Sequence, residues 1–185
     1  MLRVISGKYR HRKLEQPPLE ITRPTTDKNK EAIFNSIRMY LPGTVVLDLC
    51  CGSGSLSIEA LSNGACKAIG VEKNHISQQV ILKNIQSLNI ENFELAKTDV
   101  LTFLATKAKS MKFDFIFFDA PFKDYDLIND TLKSIANIKC LTRNGLLIME
   151  TNDLTKVNIP EEFSTYRYKQ YGKSHILWLT LMENV

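Results

Sequence analysis

The sequence predicts an α/β protein built on a seven-stranded, mostly parallel sheet, and two features of the chain carry this prediction. Between residues 44 and 150, strand-like apolar runs alternate with segments of helical periodicity, which is typical of parallel strands joined by helical crossovers on both faces. After residue 160, two strand-like runs are joined by a turn alone, and so short a connection makes them antiparallel. One strand of the sheet should therefore be reversed.

The predicted elements follow one another without an internal repeat. Strands are expected at 44–49, 67–71, 93–96, 113–119, 146–150, 163–170 and 175–182. Helices are expected from the turn after the first strand to residue 62, then at about 75–88, 100–107 and 127–138. Five parallel strands that finish in a hairpin resemble the class I methyltransferase fold, and the hairpin distinguishes this pattern from that of dehydrogenases.

The N-terminal residues precede this alternation. Residues 3–14 are predicted to form two short strands around a glycine-containing turn, which the prolines at 17 and 18 end. Apolar residues then recur at helical spacing over 25–41, and Thr26 or Asp27 can cap the start of that helix. We therefore divide the chain into an N-terminal basic β-hairpin arm at 1–24 and a methyltransferase-like domain at 25–185.

Composition excludes several classes of protein. The 185 residues suffice for one principal domain, and the apolar runs are far shorter than the roughly 20 residues that span a bilayer. The first residues also lack the apolar core of a secretory signal, so we expect a cytoplasmic protein. We also expect a monomer. The four cysteines and three histidines show no metal-ligand spacing, which predicts reduced cysteines and no metal site.

The net charge of +4 is unevenly distributed. Residues 1–30 carry eight Lys or Arg and three acids, whereas the rest of the chain carries sixteen and seventeen. A cationic segment on a neutral body indicates a polyanionic partner such as nucleic acid, because neutralising phosphates supplies much of the binding free energy. A segment that serves only solubility is the alternative.

The residues after the first three strands predict a cofactor site. Gly52 and Gly54 lie in a strand-to-helix turn, where a ligand can approach the backbone and the helix N-terminus offers amide donors to a carboxylate. Glu72 can accept from the two hydroxyls of a ribose, and Asp99 from an adenine amine, with the backbone near Val100 serving the ring nitrogen. A helix cap is the alternative for Asp99, and a nicotinamide enzyme would also place an acid at Glu72. The candidate cofactor-binding residues are Asp48, Cys50, Gly52, Ser53, Gly54, Glu72, Lys73, Asp99, Val100 and Asp119.

A second motif ends the strand at 113–119. Its Asp119-Ala120-Pro121-Phe122 sequence resembles the Asp-Pro-Pro-Phe/Tyr motif of amino-methyltransferases that act on nucleobases. The resemblance implies that the Asp119 side chain and the Ala120 carbonyl accept hydrogen bonds from the target amine, while Phe122 stacks on the extruded base. Ala120 departs from the usual Pro, although Pro121 still biases Ala120 towards extended geometry.

Several further motifs are similar to one particular family. They lie at 3–7, 12–14, 23–27, 31–35, 52–54 and 58–61, together with Asn84. On these motifs the chain resembles the RsmD family of guanine-N2 methyltransferases along nearly its whole length. The resemblance implies S-adenosylmethionine as cofactor and methylation of the N2 amine of a guanine, of the type numbered 966, in 16S ribosomal RNA. Its implied partner is the small ribosomal subunit or an assembly intermediate.

The basic residues of the N-terminal third are the candidate RNA contacts. Phosphate contacts are expected from Arg10, Arg12, Lys13 and Arg23. Arg23 and Thr25 can instead shape the base pocket, and Tyr9 can stack on RNA or pack the hairpin. Lys28, Asn29 and Lys30 stand where the family usually has Arg, which weakens a specific bidentate contact there.

Three alternative functions remain at the level of sequence. The first is methylation of a different amine such as adenine N6, which the N-terminal motifs disfavour. The second is an RNA-binding assembly factor that has lost turnover, which only Ala120 supports. The third is a dehydrogenase.

Overall fold

The computed structural model describes residues 2–20, 26–121 and 124–182. The helices in these ranges are α1 (Asp27–Ile37), α2 (Ser55–Ser62), α3 (His75–Ser87), α4 (Val100–Thr106) and α5 (Tyr125–Ile138). The strands are β1 (Val45–Leu49), β2 (Lys67–Val71), β3 (Phe93–Ala96), β4 (Phe113–Phe118), β5 (Leu141–Thr151), β6 (Phe163–Tyr171) and β7 (Ser174–Leu181).

The seven strands form one sheet in the order β3-β2-β1-β4-β5-β7-β6. Neighbouring strands from β3 to β5 pair in parallel, whereas β7 is antiparallel to both β5 and β6. The predicted fold class is therefore confirmed, including the reversed strand. The carboxyl ends of β1 to β5 meet along one side of the sheet, here called the carboxyl edge, where ligands of open α/β sheets bind.

Helices cover both faces of this sheet. The face covered by α4 and α5 buries one apolar cluster, which includes Phe103 and Leu132. The opposite face buries a second cluster beneath α1, α2 and the N-terminal residues, with Phe34, Phe117 and Trp178 among its members. Apolar residues on both faces explain why the central strands are nearly continuous hydrophobic runs.

Strand β5 differs most from its predicted bounds, because it begins at residue 141 instead of 146. Leu141 pairs with Phe113, and Leu146 pairs with Phe115, so the intervening residues bulge out of register. A Cβ on Gly145 would lie 2.9 Å from the Phe113 carbonyl oxygen, which favours glycine there. Because the residues of this bulge are polar, the hydrophobic pattern of the sequence does not predict the first part of β5.

Helix α1 is also shorter than its periodicity suggests. The Thr26 side chain caps it by accepting from the Asn29 backbone N–H at 3.2 Å, which identifies the cap among the two candidates. The helix ends at Ile37 and continues as one 3-10 turn over Arg38–Tyr40.

Residues 2–14, here called the N-terminal segment, follow the predicted hairpin course. The two predicted strands, however, are reduced to one antiparallel bridge between Arg3 and Lys13. The segment is packed against the domain, because Leu2, Val4 and Leu14 are buried in the cluster beneath α1 and α2. Its position is therefore fixed by the same core that supports the sheet.

A buried carboxylate on α2 anchors the N-terminal segment. Glu59 accepts from the backbone N–H groups of Ile5 and Ser6 at 2.9 and 2.7 Å. The Nζ atom of Lys30 on α1 lies 3.7 Å from the carboxylate oxygen that accepts from Ile5, and the side chains of Lys30 and Glu59 are fully buried. Burial lowers the pKa of Lys30, and the charge on Glu59 opposes that shift. Helices α1 and α2 and the segment thus share one polar contact.

A second buried acid joins β1 to α2. Asp48 accepts from the backbone N–H and the hydroxyl of Ser57 at 3.0 and 2.8 Å through the same oxygen. Burial raises the pKa of Asp48 to about 7, although the bonds from Ser57 oppose the shift. These bonds hold the start of α2 against the end of β1.

Replacing Glu59 by Ala should destabilise the protein by about 3–5 kcal/mol, because it leaves the Lys30 ammonium buried without a counter-charge and removes the acceptor of two backbone N–H groups. Urea unfolding measures the change. The control is Glu94→Ala, which breaks an exposed ion pair with Lys67 and should cost less than about 1 kcal/mol. Equal losses in both variants would contradict the anchoring role.

The raised pKa of Asp48 predicts a pH-dependent stability. Between about pH 4 and 7 the native state holds a proton that the unfolded chain releases, so this group makes stability fall as pH rises through that window. Asp48→Asn removes the titration. The free energy of unfolding of the variant minus that of the wild type should increase with pH, by up to about 1.4 kcal/mol per pH unit. Urea unfolding from pH 4 to 8 measures this difference. Parallel stability curves would show that Asp48 does not titrate in this range.

Candidate functional site

The turn between β1 and α2 lies at the carboxyl edge and has an unusual backbone. Cys50, Gly52 and Gly54 have φ values of 60°, 56° and 77°. Glycine adopts this left-handed region freely, whereas Cys50 is strained in it. The Cys51 backbone N–H donates to Val71 at 3.1 Å, and the Gly54 backbone N–H donates to Cys51 at 2.7 Å. The turn is thereby held against the end of β2.

Glu72, which directly follows β2, supports this turn from below. Its two carboxylate oxygens accept from the backbone N–H groups of Gly52 at 2.9 Å and Asn74 at 2.8 Å. Its backbone carbonyl accepts from the Gln78 side chain at 2.9 Å. A carboxylate offers about four acceptor positions, so these two bonds leave capacity for the hydroxyls of a ligand. These free acceptor positions fit the hydroxyls of a ribose beside a glycine turn.

Asp119 lies next to the same turn. Phe118, the last residue of β4, pairs with Leu49 of β1, so Asp119 and Cys50 follow neighbouring strand ends. Burial is the main cause that raises the pKa of the Cys50 thiol to about 12, and the charges of Glu72 and Asp119 contribute to the same shift. The structure thus brings both predicted acids around one neutral thiol, which is too weakly acidic to act as a nucleophile.

The rest of the candidate catalytic motif leads into α5. Ala120 is buried and Pro121 is exposed, and the Pro121 carbonyl accepts from the Asp124 backbone N–H at 3.0 Å. Asp124 in turn caps α5 by accepting from the Leu127 backbone N–H at 3.1 Å. The candidate stacking residue Phe122 lies outside the described residues.

Asp99 is placed at the N-terminus of α4. It is exposed and accepts from the Thr102 backbone N–H at 2.9 Å, a bond that lowers the pKa of Asp99. Asp99 therefore caps α4, and this role uses one oxygen of its carboxylate. Of the other candidates, Val100 and Ser53 are buried, and Lys73 is exposed.

The candidate RNA contacts lie on the surface of the N-terminal segment. Arg10, Arg12 and Lys13 are exposed, and Arg12 donates to the Ser87 carbonyl at the end of α3 at 3.3 Å. Tyr9 is partly buried against the core, as its packing interpretation expects. The further candidates Arg23 and Thr25 lie outside the described residues.

Three polar residues help to position the site, and their structural roles were not predicted from the sequence: Lys30, Glu59 and Asn84. Asn84 on α3 accepts from the Glu15 backbone N–H at 2.8 Å and donates to the Ser53 carbonyl at 3.0 Å. It therefore ties the chain beyond the N-terminal segment to the β1–α2 turn. A sequence signal existed for Lys30, which occupies the helical apolar stripe shared by Ile33 and Ile37.

No helix in residues 2–20, 26–121 or 124–182 is both long and apolar enough to cross a membrane. Within the same ranges, no three His, Cys, Asp or Glu side chains are grouped so that they could hold a metal ion.

Comparisons with known proteins agree with this architecture. The family model described as Conserved hypothetical protein 95 matches residues 2–180. The Ribosomal RNA small subunit methyltransferase D of Escherichia coli strain K12 is 31% identical over 175 residues, covering 93% of this chain and 86% of the relative. The protein of the same name from Haemophilus influenzae is 32% identical over 173 residues, covering 92% and 89%.

A solved structure shows the same similarity in three dimensions. The yhhF structure from Escherichia coli superposes with a TM-score of 0.86 at 29% sequence identity, covering 97% of each chain. With the family model matched over nearly the whole chain, the protein belongs to the family that includes Ribosomal RNA small subunit methyltransferase D.

Proposed function

We propose that this protein transfers a methyl group from S-adenosylmethionine to the exocyclic N2 amine of a guanine, of the type numbered 966, in 16S ribosomal RNA. The observation that carries the proposal is the position of Asp119, which follows β4 directly beside the β1–α2 turn and Glu72. The relatives' name supports ribosomal RNA of the small subunit as the substrate. The expected setting is a monomer in the cytoplasm acting on the small subunit or its assembly intermediate.

The cofactor is proposed to lie across the carboxyl edge, where it supplies an electrophilic methyl group on sulfur. Glu72 accepts from the ribose hydroxyls while it keeps its bond to the Gly52 backbone. The amides at the start of α2, after Gly54, face the cofactor carboxylate. Asp99 and the Val100 backbone serve the adenine. Asp48, Cys50, Ser53 and Lys73 complete the proposed binding set by shaping or lining this region.

The target amine is a poor nucleophile because its lone pair is delocalised into the purine ring. In the proposed mechanism the Asp119 carboxylate and the Ala120 carbonyl accept hydrogen bonds from the two N–H groups of the amine. These bonds direct the lone pair of the amine towards the methyl group. Phe122 stacks on the extruded base, and such stacking contributes about 1–3 kcal/mol. Pro121 keeps the Ala120 backbone extended. Rate acceleration then comes mainly from orientation of the two reacting groups.

RNA is proposed to contact the exposed cations of the N-terminal segment. Arg10, Arg12 and Lys13 lie on its surface, and Arg23 and Thr25 follow it in sequence. The segment is a firm platform because Glu59 and the buried Leu2, Val4 and Leu14 fix it on the domain. Phosphate contacts from such a platform set the orientation of the substrate and leave the choice of base to the site at Asp119.

The direct test uses tritiated S-adenosylmethionine and small subunits that lack the modification, followed by digestion of the RNA to nucleosides. Label in N2-methylguanosine is expected. Label in N6-methyladenosine would replace the proposed target by adenine. Cofactor binding without transfer would favour an RNA-binding assembly factor. In that case Ala120→Pro, which introduces the family's usual residue, tests whether the alanine is the cause.

Asp119 and Glu72 should fail differently when they are replaced. Asp119→Ala should abolish methyl transfer and change the dissociation constant for S-adenosylmethionine by less than about threefold, because Asp119 is proposed to act on the amine. Equal loss of both properties would contradict this division of roles. Calorimetric titration with the cofactor and a single-turnover transfer assay measure the two properties separately.

Glu72→Gln should weaken S-adenosylmethionine binding by about tenfold or more, since each hydrogen bond to a charged group contributes about 1.5–3 kcal/mol. The amide also places a donor against the backbone N–H of Gly52 or Asn74. The matched control is Glu94→Gln on β3, whose carboxylate is exposed and pairs with Lys67. The Glu72 role is refuted when both variants bind the cofactor with equal affinity.

A further inference from the structure

The β6–β7 hairpin carries only positively charged side chains among its ionic groups, and the proposed function gives them no role. Residues 163–182 contain Arg167, Lys169 and Lys173 and no Asp or Glu. All three side chains belong to exposed residues. Among the described residues, no carboxylate lies within ion-pair distance of them. These charges are therefore available to an anionic partner.

The cations of β6 lie on the same face of the sheet as the N-terminal segment. Arg167 pairs with Trp178, and Lys169 pairs with Ile176 across the β6–β7 ladder. Paired residues point to the same face, and Trp178 and Ile176 belong to the cluster beneath α1 and α2. The Arg167 guanidinium lies over the Trp178 ring at 5.3 Å, as this geometry requires.

The tip of the hairpin lies at the carboxyl edge. Because β6 runs parallel to β5, its last residue, Tyr171, reaches the edge where Asp119 follows β4. Successive strands are about 4.8 Å apart, so β7 and β6 lie roughly 10–15 Å from β4. A few nucleotides on either side of a base held at Asp119 can span that distance.

Helix α1 adds a further cation to the tip. The Asn29 side chain donates to Glu150 at 2.8 Å and to Ser174 at 3.0 Å, which fixes the start of α1 against β5 and β7. This contact places Lys28 with its Nζ atom 5.0 Å from the centre of the Tyr171 ring. The arrangement combines a cation with an aromatic face, which is a pairing that single-stranded nucleic acid uses.

From these contacts we propose that Lys28, Arg167, Lys169, Tyr171 and Lys173 form a second RNA-binding surface, which contacts the RNA backbone flanking the target base. The proposal deepens the proposed function and rests on it for the position of the target base. The RNA would then run from the base held at Asp119 to the hairpin. Phosphate contacts made there are independent of base sequence.

The test compares two double charge reversals. Lys169→Glu with Lys173→Glu changes the hairpin, and Lys107→Glu with Lys109→Glu changes two exposed lysines between α4 and β4, at the opposite edge of the sheet. Both change the net charge equally. The probe is a short labelled single-stranded RNA, titrated by fluorescence anisotropy over a range of salt concentrations.

The hairpin variant should bind the RNA at least tenfold more weakly than the control. A plot of its log affinity against log salt should also be less steep by about 1.4, because two phosphate contacts are lost. The alanine pair Lys169→Ala and Lys173→Ala should show the same direction with a smaller loss, and unchanged cofactor binding checks the fold. Equal RNA affinity of the hairpin and control variants, or a wild-type chain that does not bind the RNA, overturns the proposal.

The two proposals fail in distinguishable ways. Methyl transfer by the wild type reports on the proposed function, whereas the binding comparison reports on the hairpin even for a chain without transfer. In a transfer assay with small subunits, the hairpin variant should show a raised KM and a nearly unchanged kcat. A fall in kcat alone would place these residues outside RNA binding and overturn the surface.

Discussion

The hydrogen bonds of the Glu72 carboxylate are the constraint on which the site depends. One acid at the end of β2 holds the backbone of the β1–α2 turn through Gly52 and the start of α3 through Asn74. The parallel register of β1 and β2 sets its height, because Leu49 pairs with Val71 immediately before it. A turn with left-handed residues is thereby kept in one conformation before any ligand arrives, which lowers the ordering cost of binding.

The N-terminal residues depend on the same frame. Glu59 joins them to α2 and Lys30, while Asn84 connects Glu15 to Ser53 in the β1–α2 turn. Gly7 belongs to this joint, because a Cβ there would clash with the Ser62 carbonyl oxygen. A surface proposed to hold RNA and a turn proposed to hold the cofactor are thus parts of one packed unit.

Much of this arrangement could be predicted from the sequence. Strands β2 and β3 have their predicted bounds, because short apolar runs between turn residues are distinctive, and the final hairpin follows from its short connection. Glu72 and Asp119 were both assigned to one cofactor site, and they lie at one edge because the carboxyl ends of parallel strands share it. The buried pair of Lys30 and Glu59 was not predicted, since charged side chains indicate solvent unless their distant partner is known.

The most direct test of the proposed role of Glu72 is a crystal structure of the protein with S-adenosylhomocysteine. Both ribose hydroxyls should lie within about 3.2 Å of the Glu72 carboxylate. The Gly52 bond to Glu72 should be retained, and the cofactor sulfur should face Asp119. A ligand bound away from the carboxyl edge, or a Glu72 side chain that leaves Gly52 when the ligand binds, would contradict this role.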